Sequence, residues 1–146
     1  ESGAADMIRE AAHTVEKAAR QKRATVLEAA ALIEEIAGGS RKLDDAVSEL
    51  AEGRHLDMVC TVLGAQTDLP KRLVEHVLKK PDSTAFVVLC RSLNLSSDTF
   101  RSLFGLRSNL LMKRYDLDKA IADYELIEVE LAVQTLDHLR RTELEQ

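Results

Sequence analysis

At 146 residues, with 45% hydrophobic side chains, the chain can bury a core without disulfide or metal staples, and its composition excludes disorder. Three Phe, two Tyr and no Trp leave that core to Leu, Ala, Val and Ile, while two Pro and six Gly are too little turn chemistry for an all-β fold. The charge of −5 is unevenly spread: residues 1–69 carry 8 basic and 13 acidic side chains, residues 70–114 carry 9 and 3, and residues 115–146 carry 3 and 9.

The first segment, Ala4 to about Ile36, has no Pro or Gly and predicts a long helix. Val15, Ala19, Lys22, Val26, Ala29, Ile33 and Ile36 recur at spacings of four and three, a helical stripe with one charged interruption. Thr25 followed by Glu28 forms a capping-box pattern, so a break near Arg23 is the alternative. Gly38-Gly39 ends the segment. Ser40 then caps a helix carrying Leu43, Ala46, Val47, Leu50 and Ala51 that stops at Gly53.

The next helix, about His55 to Ala65, places Leu56, Val59, Cys60 and Leu63 on one face. Asp68 caps a helix opened by Pro70 and carrying Leu73, Val74, Val77 and Leu78. Pro81 cannot continue it, and Asp82 or Ser83 caps a helix over about Thr84 to Leu93. Ser96 or Ser97 caps another, with Phe100, Leu103 and Phe104, ending near Gly105. A short helix is expected over 108–115, then a long one from Asp116 to about Arg141.

The stretch around Cys60 returns thirty residues later around Cys90. Leu56, Val59, Cys60 and Leu63 become Phe86, Leu89, Cys90 and Leu93, with Gly64 becoming Asn94 and Lys71 becoming Arg101. A shared period of this length predicts an all-α fold of stacked antiparallel helical pairs, each unable to bury its apolar face alone. Three pairs are expected, at about 25–52, 55–80 and 84–105, within a single domain divided as 1–37, 40–105 and 108–146. The two Cys read as small buried apolar residues, not as a disulfide or metal framework.

Candidate surfaces follow from charge and stripe. Lys71, Arg72, Lys79, Lys80, Arg91, Arg101 and Arg107 form a candidate face for an anionic partner. On the long last helix, Ala122, Leu126, Val129, Val133 and Leu136 form a candidate self-association stripe, with Tyr124, Ile127 and Leu131 on the adjoining side. Residues 83–106 fit a helix-turn-helix superficially, which makes a DNA-binding regulator the main alternative, although the second helix has little basic density. His13 begins a segment loosely like a phosphoacceptor helix, but Glu16 and Ala18 occupy the diagnostic Lys and Gly positions. A phosphotransfer or kinase-docking role is therefore a third reading. His55, His76 and His138 have no partners at metal spacing, and no Gly-rich phosphate loop or nucleophile–base set is visible.

Three segments carry a family resemblance: Leu43 to Gly53, Leu69-Pro70 opening a helix, and Val88 to Leu95. Over residues 42–105 the chain resembles the alpha-proteobacterial domain of unknown function DUF2336. The resemblance implies HEAT-like helical pairs within a larger cytosolic bacterial protein and carries no catalytic residues; residues 1–24 and 117–146 depart from the matched pattern. The expectation is a non-enzymatic, cytoplasmic interaction or regulatory module. It would need no cofactor or metal, would not span a membrane, and would bind a protein partner or a second copy of itself.

Overall fold

A computed structural model describes the backbone of residues 2–145 and the side chains of residues 3–142. The described chain is all-helical: α1 (Ser2–Ala37), α2 (Leu43–Glu52), α3 (Leu56–Thr67), α4 (Lys71–Lys79), α5 (Thr84–Ser92), α6 (Ser97–Leu111), α7 (Leu117–Leu126) and α8 (Val129–Glu145). The helices stack in a solenoid-like order, α1 and α2 on α3, α3 on α4, and α4 on both α5 and α6. Two long-range packings close the stack: α2 against α6 and α5 against α8 are the most extensive contacts between elements.

Helix α1 is unbroken. The hydroxyl of Thr25 donates back to the Gln21 carbonyl at 3.0 Å, so it serves the helix interior and caps nothing. The helix ends where Gly39 takes φ +82°, a conformation that costs glycine nothing. Ser40 differs from expectation: its hydroxyl donates to the Glu35 carbonyl, finishing α1, and Lys42 takes the N-cap position of α2 with no side-chain cap. Gly53 closes α2 with ordinary right-handed geometry, and the left-handed turn falls on Arg54 instead.

Asp68 is likewise not the N-cap of α4. It sits at φ 56°, ψ 41° as the left-handed C-cap of α3, its N–H donating to the Gly64 carbonyl, and Pro70 opens α4. Gly64 does not stop α3. It is buried inside the helix, and a Cβ there would lie 2.8 Å from the Leu69 carbonyl oxygen, so the backbone turn into α4 packs where a side chain would be. Asn94, its sequence counterpart, does turn the chain after α5, at φ 53°. The thirty-residue echo therefore holds for Val59, Cys60, Leu89 and Cys90, all buried, and fails at the helix ends, since α3 has 12 residues and α5 has 9.

Pro81 acts as expected. It forces Lys80 to extended geometry (ψ 131°) and α4 ends at Lys79. Asp82 accepts the Thr84 N–H at 3.0 Å and its hydroxyl at 2.8 Å. Those bonds, the backbone one first, hold the carboxyl of Asp82 below its usual range. Ser96 caps α6 by accepting from Thr99 N–H, and Asp116 caps α7 by accepting from Lys119 N–H.

Two expectations at the C-terminal end are corrected. Helix α6 runs through Gly105 to Leu111, so there is no separate helix over 108–115. Its apolar stripe continues past the glycine into buried Leu106 and Arg107. The long last helix is two. Ile127 takes extended geometry (ψ 127°) between α7 and α8, and its carbonyl accepts from Arg91 Nε at 2.6 Å. The break lacks Pro or Gly; the acceptor freed from the helix is satisfied by the side chain of Arg91 on α5.

Candidate functional site

The aromatic residues lie thinly along the sequence and gather in the fold. Phe86 from α5, Phe100 and Phe104 from α6, Tyr115 from the α6–α7 connection and Tyr124 from α7 form one cluster, which takes in every aromatic side chain of the chain. Phe100 and Tyr124 stack face to face at 4.1 Å and 8°. Phe86 lies 5.7 Å from Phe100, and Tyr115 meets Phe104 edge-on at 5.9 Å. Each such pair adds about 0.5–1.5 kcal/mol beyond the area it buries. Tyr124 Oη donates to the Leu95 carbonyl at 2.5 Å, and burial raises its pKa above the usual phenol range.

Two arginines complete the cluster. The Arg91 guanidinium lies 5.2 Å from the Tyr124 ring while holding the Ile127 carbonyl. Arg107 is 0% exposed. Its guanidinium lies 5.6 Å from the Phe86 ring and 5.2 Å from the Tyr115 ring, and Nη2 donates at 2.8 Å to the carbonyls of both Lys80 and Pro81. Nε and Nη1 have no hydrogen-bond partner. Arg107 thus ties α6 to the end of α4. A cleft of about 260 Å³ opens beside it, lined by Ser83, Lys119, Asp116 and Asp123 among others. The carboxylates there offset the two cations, so the cleft has no single sign.

The predicted anionic-partner face does not form one surface. Arg107 is buried and Arg91 is half-buried and engaged. Lys71, half-buried, is ion-paired with Asp57. Arg72, Lys79, Lys80 and Arg101 are exposed. Arg72 and His76 line a cleft of about 410 Å³ with Asp68 and Arg140, where Arg140 donates to the Thr67 carbonyl and pairs with Asp137. In the helix-turn-helix reading α6 would be the recognition helix; its exposed positions are Asp98, Arg101, Gly105 and Asn109, with one cation among them.

The predicted self-association stripe is divided by the break at Ile127. Ala122 and Leu126 belong to α7, and Leu126 is 81% exposed. Val129, Val133 and Leu136 belong to α8, where Leu136 is buried and Val133 remains exposed. Tyr124, read as an adjoining-side residue, is in the core. His13, His55, His76 and His138 are all exposed. Among the described residues no three His, Cys, Asp or Glu side chains are placed to hold a metal ion, and no helix is long and apolar enough to cross a membrane. Cys60 and Cys90 are free and buried; burial above all, then the charge of Glu75, pushes the Cys60 thiol up to about 12, and burial raises Cys90 further.

The buried arginine escaped the sequence reading although its signal was present. Phe100, Leu103, Phe104 and Arg107 keep the three-and-four spacing of the core face, so Arg107 stands where the next core residue should be. The other unforeseen feature is α1. Its side chains from residues 3 to 18 are all exposed, with Met7 at 72%, Ile8 at 70% and Val15 at 68%. Only from Ala29 onward does the same stripe enter the core.

A model of an uncharacterised protein family conserved in bacteria, DUF2336, matches residues 1–137. The match reaches well beyond the 42–105 segment in which the resemblance was legible, and includes α1 and about half of α8. No curated protein and no solved structure matches the chain.

Proposed function

We propose that this chain, which belongs to the uncharacterised bacterial family DUF2336, is a non-catalytic helical module that binds other protein chains, its own copies included. The observation that carries this reading is the contrast between a well-filled core and large apolar side chains left at the surface in two places. One is the face of α1 with Ile8, Val15 and Val26; the other is the α7–α8 junction with Leu126, Leu131 and Val133. Scattered single apolar residues need no explanation, but apolar side chains repeated along one exposed helix face mark an interaction surface. The two thiols are buried and held protonated, and Arg91 and Arg107 are engaged inside the fold, so these four groups serve packing.

A photo-crosslinking residue placed singly at Leu27, Leu126 or, as a polar control, Asp118 in the full chain tests the reading in the native cytosol. Discrete protein adducts are expected from Leu27 or Leu126 and not from Asp118. Equal, diffuse labelling from all three positions would remove the proposal.

A further inference from the structure

Helix α1 carries its own description of what covers it. A helix in a protein draws most of its stability from packing of one face, and ordering each backbone residue costs roughly 1–2 kcal/mol. Yet residues 3–18 touch nothing that buries them. The seam that packs through Ala29, Ile33 and Ile36 continues backward with unbroken four-three spacing through Val26, Lys22, Ala19, Val15, Ala12 and Ile8 to Ala5. An apolar hollow on the same face is lined by Ala19, Lys22, Arg23, Val26 and Leu27.

We propose that the exposed seam of α1 pairs antiparallel with α1 of a second copy of this chain, with Ala12 opposite Val15 and Ile8 opposite Ala19. This rests on the reading of the chain as an interaction module and names one partner for it. The argument is self-complementarity. Between Ala5 and Lys22 in this register each large seam residue meets an alanine, twice over by symmetry, across about 27 Å of helix. Lys22 falls opposite Ala5 at the end of the seam, where its stem can cover apolar surface and its ammonium reach water.

Charge selects the same arrangement. Arg9 and Glu16 are the residues next to the seam on one side, and in the antiparallel register Arg9 of each copy meets Glu16 of the other. On the opposite side stand Ala4, Ala11 and Ala18, seven apart, which let the helices approach closely. A parallel pair would do none of this: Lys22 would face Lys22 within the seam, and Arg9 and Glu16 would face only alanines.

The test is sedimentation velocity of the full chain across a concentration series up to high micromolar, with disulfide trapping of register. The wild-type chain should form a dimer. Mixing A12C and V15C chains should give a mixed disulfide between them, while neither alone cross-links efficiently; both native thiols are buried and silent. E16R should weaken the dimer roughly tenfold by converting two attractive pairs to repulsive ones, and R9E/E16R should restore it. All these side chains are exposed, so circular dichroism should report an intact fold. A monomer at every concentration, homodisulfides in the single variants, or an E16R dimer of unchanged strength would each overturn the proposal. A monomer that still yields discrete Leu27 adducts in cytosol would overturn the second copy and leave the interaction module standing; loss of both would remove both.

Discussion

The two halves of α1 are one helix with one seam and two fates. From Ala29 on the helix packs against α3, with Ala29 at 1% exposure, Leu32 beside the seam at 7%, and Ile33 and Ile36 half-buried. Before Ala29, the same spacing faces water, with Val26 at 57% and Val15 at 68%. Helix propensity does not separate the two parts, since both are rich in Ala and Glu. What differs is whether another element lies opposite. Amphipathic spacing states that a face will be covered; it does not state by what.

The sharpest break of that comparison is a matched pair of substitutions. Leu32→Ala should cost about 2–5 kcal/mol in denaturant unfolding, by lost burial and a cavity against the core. Leu27→Ala, the same chemical change at a side chain 71% exposed just outside the packed part of α1, should fall within about 0.5 kcal/mol. Equal costs would mean that the face of α1 carrying Leu27 is packed after all.

A smaller effect tests how tightly the body to which α1 is anchored is built. Gly64→Ala places a methyl 2.8 Å from the Leu69 carbonyl oxygen, a backbone atom that cannot swing aside. It should lower stability by about 1–3 kcal/mol. Gly105→Ala, where a Cβ meets nothing within 4 Å, should be neutral or slightly stabilising through helix propensity. Urea midpoints of the two variants measured side by side decide this.

The smallest effect is confined to alkaline pH. The Cys60 thiol titrates at about 12 when folded against an ordinary 9.0, so the unfolded chain gives up its proton first. Its contribution is fully present below pH 9 and is lost as the pH rises from there toward 12. Midpoints in that window should fall less steeply for Cys60→Ala than for the wild-type chain. A parallel decline in the two would show that the thiol is not sealed in the body.

Much of the fold was legible in the chain because helices are local. The periodicity of α1, the Pro81 stop, the Ser96 and Asp116 caps and the burial of both cysteines each follow from residues within a turn or two of one another. The misreadings share a cause. Ser40 and Asp68 carry side chains suited to capping the next helix, but the backbone used them to finish the previous one. Gly105 is a permitted residue inside α6, because the stripe beyond it had aromatic rings to meet. Ile127 breaks a pattern that is continuous in sequence, and the acceptor it frees is satisfied by Arg91, thirty-six positions away in the chain.

The candidate surfaces were less legible, for the same reason. A list of basic residues says nothing about which face each one meets: Arg107 looked like part of an exposed cationic set and is the most buried charge described. By itself the sequence determined the helical class and the positions of the main stripes, both consequences of spacing and side-chain chemistry within single helices. Only the tertiary structure decided that α2 closes on α6, that five scattered aromatic rings and two arginines share one cluster, and that half of α1 stands uncovered. Those depend on which elements meet across long stretches of chain, where burial is settled by the whole set of packed neighbours and not by any segment alone.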